Sequence, residues 1–287
     1  MYAPSELILN ADGSVFHLHL LPEQISDKII LVGDQNRVDL VASFFDTIEC
    51  RVENREFRTV TGFYKGKRLT VLSTGIGTDN IDIVLTELDA LVNIDLASRE
   101  DKVEKTSLTL VRIGTSGGLQ GFVPEGTFVA SEYSLGFDGL INYYADSEKV
   151  IEADFSEAFI SQTGYSPKFA YPYVVKDSEE LLDRIAADDM VRGVTISAPG
   201  FYGPQGRAIR LPLLDAELNN KIINFDYKGH KITNFEMEGS AIAGLSAMLG
   251  HKALTICLII ANRFGKRFIG DYSPYMKKLI ETVLDRI

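Results

Sequence analysis

The sequence predicts an α/β fold built on a largely parallel, mixed central sheet with helices packed around it. Two patterns predict it: short β-rich runs alternate with helical periodicity, and several of those runs end in glycine. In such sheets ligands collect beyond the carboxyl ends of the strands. The polar clusters GDQNR, STGIG, RIGTSGG, EME and NR all fall there.

The first run, KIILVG (28–33), leads into DQNRVDLVASFFD, where Val38, Val41, Ala42 and Phe45 recur at helical spacing. RLTVLSTGIG (68–77) leads into TDNIDIVLTELDALV, with Ile81, Val84, Leu85, Leu88 and Leu91 on one face. SLTLVRIGTSGG (107–118) and GTFVAS (126–131) are the next strands, followed by RGVTIS (192–197), KITNFEME (231–238) and ALTICLIIANR (253–263). An apolar, small-residue helix fills 238–249, and SPYMKKLIETVLDRI closes the chain as an amphipathic helix. The charged stretch SREDKVEKT (98–106) reads as a solvated connection, and 140–190 gives no order beyond a helix near DSEELLDRIAA. No linker or repeat interrupts the chain, so one domain over 1–287 is expected.

A net charge of −11 argues against non-specific nucleic-acid binding and against an anionic membrane surface. A local pocket of arginines would still admit an anionic substrate. Two cysteines, Cys50 and Cys257, suggest free thiols in a reducing cytosol. No basic leader or bilayer-length apolar run is present, so a cytoplasmic protein is expected.

Five clusters carry chemistry. VGDQNRV places Arg37 just after a strand-ending glycine, a setting suited to phosphate, although Arg37 taken alone reads first as a surface cation. Arg112 lies inside an apolar strand and is followed by Thr115 and Ser116; a guanidinium there serves either an anionic ligand or an internal ion pair. Arg55, in ENREF, reads by itself as a surface strand charge. PGFYGPQGRAIR offers Phe201 to stack on a planar ring and Gln205 and Arg207 to bond its edge; by itself it is a polar loop. NFEMEG sets Glu236 and Glu238 at the lip of an apolar helix, where a bare carboxylate is costly. His17 and His19 form an H-x-H pair without a companion ligand set, which argues against a metal, and His230 and His251 read as surface residues. Walker, dinucleotide-binding and nucleophile-elbow spacings are missing.

In order along the chain, VFHL, GDxxR, REF, STGIG, RIGTSGGLQ, FYxxQxR, NFEMEG and NR resemble the nucleoside phosphorylase family of the hexameric type, its uridine phosphorylase branch most closely. The resemblance covers almost the whole chain. It implies a single α/β domain whose mixed sheet curls into a distorted barrel flanked by helices. It implies reversible phosphorolysis of uridine to uracil and ribose 1-phosphate, with phosphate as co-substrate and no cofactor or metal. A purine nucleoside phosphorylase, or a nucleoside-binding protein without turnover, is the alternative. Purine-preferring relatives carry a Ser-Asp pair where this chain has IIANR, which favours a pyrimidine.

The same resemblance implies the site. Gly33, Arg37, Arg55, Arg112 and Thr115 match phosphate-binding positions; His17, Met237 and Glu238 match ribose-binding ones; Phe201, Gln205, Arg207 and Arg263 match base-binding ones. Arg112, Glu238 and Arg207 are the expected catalytic groups, and Glu236 a supporting one. Arg55 and His17 match residues delivered across a subunit interface, which implies a homo-oligomer, a dimer at least and a hexamer by family habit. Gln35 replaces a common proline, YGPQGR shifts a usual YPGQ, and Asn80 stands where a cation-binding serine would accompany Glu56.

Overall fold

In the computed structural model, which describes every residue except 264 and 266, the chain opens with β1 (Lys28–Val32) and α1 (Gln35–Ala42). An antiparallel meander follows: β2 (Thr47–Asn54), β3 (Phe57–Tyr64) and β4 (Lys67–Ser73). Next come α2 (Thr78–Asn93), a short pair β5 (Ile94–Asp95) and β6 (Glu100–Asp101), then β7 (Thr109–Gly118) and β8 (Phe128–Gly136). The middle holds α3 (Ala153–Thr163), β9 (Tyr173–Lys176), α4 (Glu179–Ile185) and β10 (Val191–Ser197). α5 (Leu218–Asn224), β11 (Ile232–Glu236), α6 (Gly239–Leu249), β12 (Lys252–Asn262), β13 (Arg267–Phe268) and α7 (Ser273–Arg286) complete it.

Five of these strands close into a ring. β7 runs parallel to β12, β12 antiparallel to β8, β8 parallel to β10, β10 parallel to β11, and β11 returns antiparallel to β7. From the ring the sheet continues through β1, β4, β3 and β2, with β1 parallel to both β4 and β7. The expected mixed sheet curling into a barrel is therefore present. Ile30 and Val32 of β1 pack under α1 and α7, whereas Ile29 and Leu31 face the core shared with α2 and α6. Burial on both faces is why this strand reads as an unbroken apolar run. The five α2 residues picked out by helical spacing are all fully buried, each worth about 1.5–3 kcal/mol relative to exposure.

Several elements depart from expectation. β2 escapes the sequence pattern because it is an exposed edge strand with polar residues on both faces. β8 extends five residues past the expected GTFVAS, and α3 and β9 emerge in the stretch that gave no order. The connection 98–106 is exposed for the most part, though its Glu100 and Asp101 pair with β5. His251 is a correction: it is buried, its Nδ1 accepts from the Leu108 N–H at 3.1 Å, and its Nε2 lies 3.2 Å from Asp89. A polar side chain next to a glycine turn looked exposed only because its partners come from distant segments. No described helix is long and apolar enough to cross a membrane.

Asp177, between β9 and α4, is buried in this core, accepting from Ser134 Oγ at 2.7 Å and Thr255 N–H at 3.2 Å. Burial, against the pull of those two bonds, pushes its carboxyl up to about 8. Across the window between the usual carboxylate value and 8 the native state keeps a proton that the unfolded chain has released. Stability therefore falls as pH rises through that window. Asp177→Asn, already neutral, should flatten the fall. Thermal melts of both proteins at pH 5 and pH 8 check it, and a variant with the parent's full drop would disprove the assignment.

Candidate active site

β7 pairs with β1 only as far as Ile113 and meets β11 only from Gly117. Between those points, beside Gly114–Ser116, the edge of β7 facing them has no strand partner among the described residues. A change of strand neighbour at carboxyl ends is where α/β sheets open a crevice. Here it opens into a hollow of about 420 Å³.

One end of the hollow is cationic. Gly33, Arg37, Arg112 and Thr115 line it. Asp34 caps α1 by accepting the Arg37 N–H at 2.9 Å, and its other oxygen lies 3.1 Å from the Arg37 guanidinium. Arg37 also reaches the Ile113 carbonyl at 3.4 Å, at the point where β7 leaves β1. The GDQNR spacing thus delivers a guanidinium because Asp34 both starts the helix and anchors the arginine.

Arg112 projects from β7 into the middle. The residue is 4% exposed, and its guanidinium donates to Glu238, lies 3.2 Å from Glu236, and lies 3.5 Å from the Cys257 sulfur. Gly114 leaves room for it: a Cβ there would collide with the guanidinium. Its Nε has no partner among the described residues. Burial works against the arginine's charge, yet Glu238 and Glu236 outweigh it and hold the proton more tightly than usual. Burial also pushes the Cys257 thiol up to about 12, so that sulfur is an inert neighbour, not a nucleophile.

The two carboxylates differ in duty. Glu236 accepts from the N–H groups of Glu238 and Gly239 at 2.9–3.0 Å and from the Ser197 hydroxyl. From two residues before the α6 N-cap, Glu238, it satisfies backbone donors at the helix start that would otherwise be buried without partners. Glu238 accepts the Gly77 N–H at 2.8 Å through one oxygen and Arg112 through the other. Gly77 can offer that N–H because its φ of +98° bends STGIG sharply into α2. Burial raises the Glu238 carboxyl, with Arg112 opposing the shift and Glu236 adding to it. Met237 lines the hollow between the two acids.

The far end is planar and amide-rich. The Arg207 guanidinium lies 3.7 Å above the Phe201 ring and donates to the Gln205 amide oxygen at 2.7 Å. Gln205 is buried, while Phe201 remains half-exposed. Arg263, expected at the base, does not line the hollow; it donates to the Gln205 backbone carbonyl and lies 3.1 Å from the same amide oxygen. Its guanidinium carbon lies 5.1 Å from the centre of the Phe235 ring. Burial, then the charge of Arg207, brings Arg263 down to about 10.

His17 and Arg55, like Arg263, are expected residues that do not line this chain's own hollow. They lie together elsewhere: Asn54 donates to the His17 carbonyl at 2.8 Å, and Arg55 sits 5.6 Å from the Phe16 ring. Arg55 holds a φ of +55° at the β2–β3 turn. Asn80 donates to Glu56 at 3.2 Å, so that carboxylate already has an amide partner. A larger, mainly apolar hollow of about 870 Å³ shares Arg207 and is lined by Tyr165, Phe169, Ile209 and Leu211. It is the larger of the two, but it lacks Glu236, Glu238, Arg37 and Arg112, its charged lining being Arg207, Arg210, Asp138 and Asp215. Asp34, Ser197 and Gly77 went unnoticed in the sequence; of these only Asp34, before a helical run, carried a local signal.

The sequence matches the family model described as the phosphorylase superfamily over residues 27–283. The chain belongs to that superfamily. A nucleoside phosphorylase of Trypanosoma brucei, whose crystal structure is described as showing uridine phosphorylase activity, superimposes with a TM-score of 0.87 at 30% identity, over 98% of this chain and 99% of that one. A uridine phosphorylase of Thermococcus kodakarensis is 28% identical over 90% of this chain and 80% of its own. One from Haemophilus influenzae is 26% identical over 88% and 87%. Within the superfamily this chain is therefore a nucleoside phosphorylase of the uridine-like kind.

Proposed function

We propose that this chain catalyses the reversible phosphorolysis of uridine to uracil and ribose 1-phosphate. The observation that carries the reading is one hollow with guanidiniums at one end, a doubly held acid in the middle and an amide–arginine–aromatic set at the other. Phosphate binds against Gly33, Arg37, Arg112 and Thr115, which orient an oxygen toward the sugar's C1′. Glu238 and the Met237 backbone hold the ribose 2′- and 3′-hydroxyls, and the carboxylate favours the positive charge that grows on the ring. Phe201 stacks on uracil, and Arg207 meets a carbonyl where negative charge builds as the base leaves.

That last step requires a rearrangement. Arg207 covers Phe201, and the Gln205 amide oxygen already accepts two guanidiniums. Moving Arg207 onto a uracil carbonyl uncovers the ring and frees an acceptor for N3–H. Arg263 stays behind to fix the amide, a positioning part and not a contact with the base. Arg55 and His17 complete the phosphate and 5′-hydroxyl contacts in a second copy, because they lie outside this chain's own hollow. A dimer is then the smallest working unit. The free thiols Cys50 and Cys257 support a cytoplasmic setting, and the uridine reading itself implies a role in pyrimidine salvage.

Incubation with uridine should release uracil only when phosphate is present, and faster than inosine releases hypoxanthine. Preference for inosine would make it a purine enzyme, equal release without phosphate a hydrolase, and uridine binding with no turnover a binding protein.

A further inference from the structure

Glu87 looks like an unremarked charge on the flank of α2, yet its carboxylate is fully committed to one short segment. Its Oε1 accepts the His17 N–H at 2.9 Å and lies 2.7 Å from the His17 ring Nδ1. Its Oε2 accepts the Leu18 N–H at 2.8 Å and lies 3.1 Å from the His17 N–H. A carboxylate only accepts, so the ring nitrogen facing it carries a proton and Nε2 is the one left free. The Phe16 ring meets the imidazole edge-on at 4.9 Å, and Asn54 holds the His17 carbonyl at 2.8 Å. Backbone and ring of His17 are therefore both fixed, and Glu87 is the group that touches both.

We propose that Glu87 is a positioning residue that aims His17 at the nucleoside 5′-hydroxyl in a second copy's site. The proposal rests on the uridine reading and on the placement of His17 in it. α2 adds a reason for the arrangement. The helix begins where Gly77 gives its N–H to Glu238 of this chain's own site, and Glu87 lies ten residues on, about 15 Å along the axis. One rigid helix thus anchors the sugar-holding acid at one end and, farther along, the histidine presented outward.

The test compares uridine with 5′-deoxyuridine, which lacks the hydroxyl concerned. Glu87→Ala should lower kcat/KM for uridine about tenfold, chiefly through KM, and change 5′-deoxyuridine by less than about twofold. In a His17→Ala background the same change should cost nothing further, because the two act as one unit. Glu87→Gln keeps an oxygen for the backbone N–H groups, so it should melt with the parent and still lose part of the preference; it decides the matter if the alanine variant does not fold. Equal losses on both substrates would reduce Glu87 to a structural pin and overturn the proposal, as would an unchanged preference in both variants. A parent protein active on uridine but indifferent to the 5′-hydroxyl would overturn the placement of His17, and this proposal with it, while leaving the uridine reading intact.

Discussion

Replacing Arg112 by alanine should lower phosphorolysis about a hundred- to a thousandfold, the usual scale for removing a preorganised charge at a transition state. It should also destabilise the protein. Glu236 and Glu238 would then face each other in a buried site without their shared cation. Breaking such a pair by removing one partner costs on the order of 3–5 kcal/mol. Arg112→Lys separates the two effects. A lysine ammonium can still neutralise the acids but lacks the fork that serves them and a phosphate at once. The lysine variant should melt near the parent, raise the KM for phosphate at least tenfold or so, and bind uridine in the absence of phosphate much as before. If it keeps the parent's KM for phosphate, the arginine is an internal ion pair and nothing more.

That alternative was already visible in the sequence, and the reason is instructive. A guanidinium inside an apolar strand must have a partner, but the strand does not say whether it is a ligand or a side chain. The structure gives Arg112 both opportunities, with carboxylates on one side and the cationic end of the hollow on the other. The strands β1, β4, β7, β8, β10, β11 and β12 and the helices α1, α2, α4, α6 and α7 were legible because their apolar pattern is local. The gap beside Gly114 was not, since it arises where β7 exchanges β1 for β11, a matter of register between segments roughly eighty to a hundred and twenty residues apart. Glu87 was invisible for the same reason: its partners lie about seventy residues away, and its own neighbourhood reads as an ordinary helix flank. Arg263 was placed near the base by the family resemblance, and its contact is with Gln205, which comes from a loop whose path no periodicity predicts.

Glu238→Gln should lower kcat about a hundredfold while leaving the fold in place. The amide keeps an oxygen for the Gly77 N–H, and Arg112 keeps Glu236 as a counter-ion, so neither is left buried without a partner. What disappears is the negative charge beside the sugar and a strong acceptor for its hydroxyls. Two measurements distinguish this from general damage. Burial raises the Glu238 carboxyl above its ordinary value despite Arg112, and the proposed role needs the ionised form beside the sugar. Activity of the parent should therefore fall as pH drops through a value above the usual carboxylate range, and that acid limb should be missing from the variant. The parent's preference for uridine over 2′-deoxyuridine should shrink in the variant too, since the amide is a weaker acceptor for the 2′-hydroxyl. A variant that kept both the acid limb and the preference would mean that the sugar is held by other groups, and that the pairing of Glu238 with Arg112 serves only to close the core.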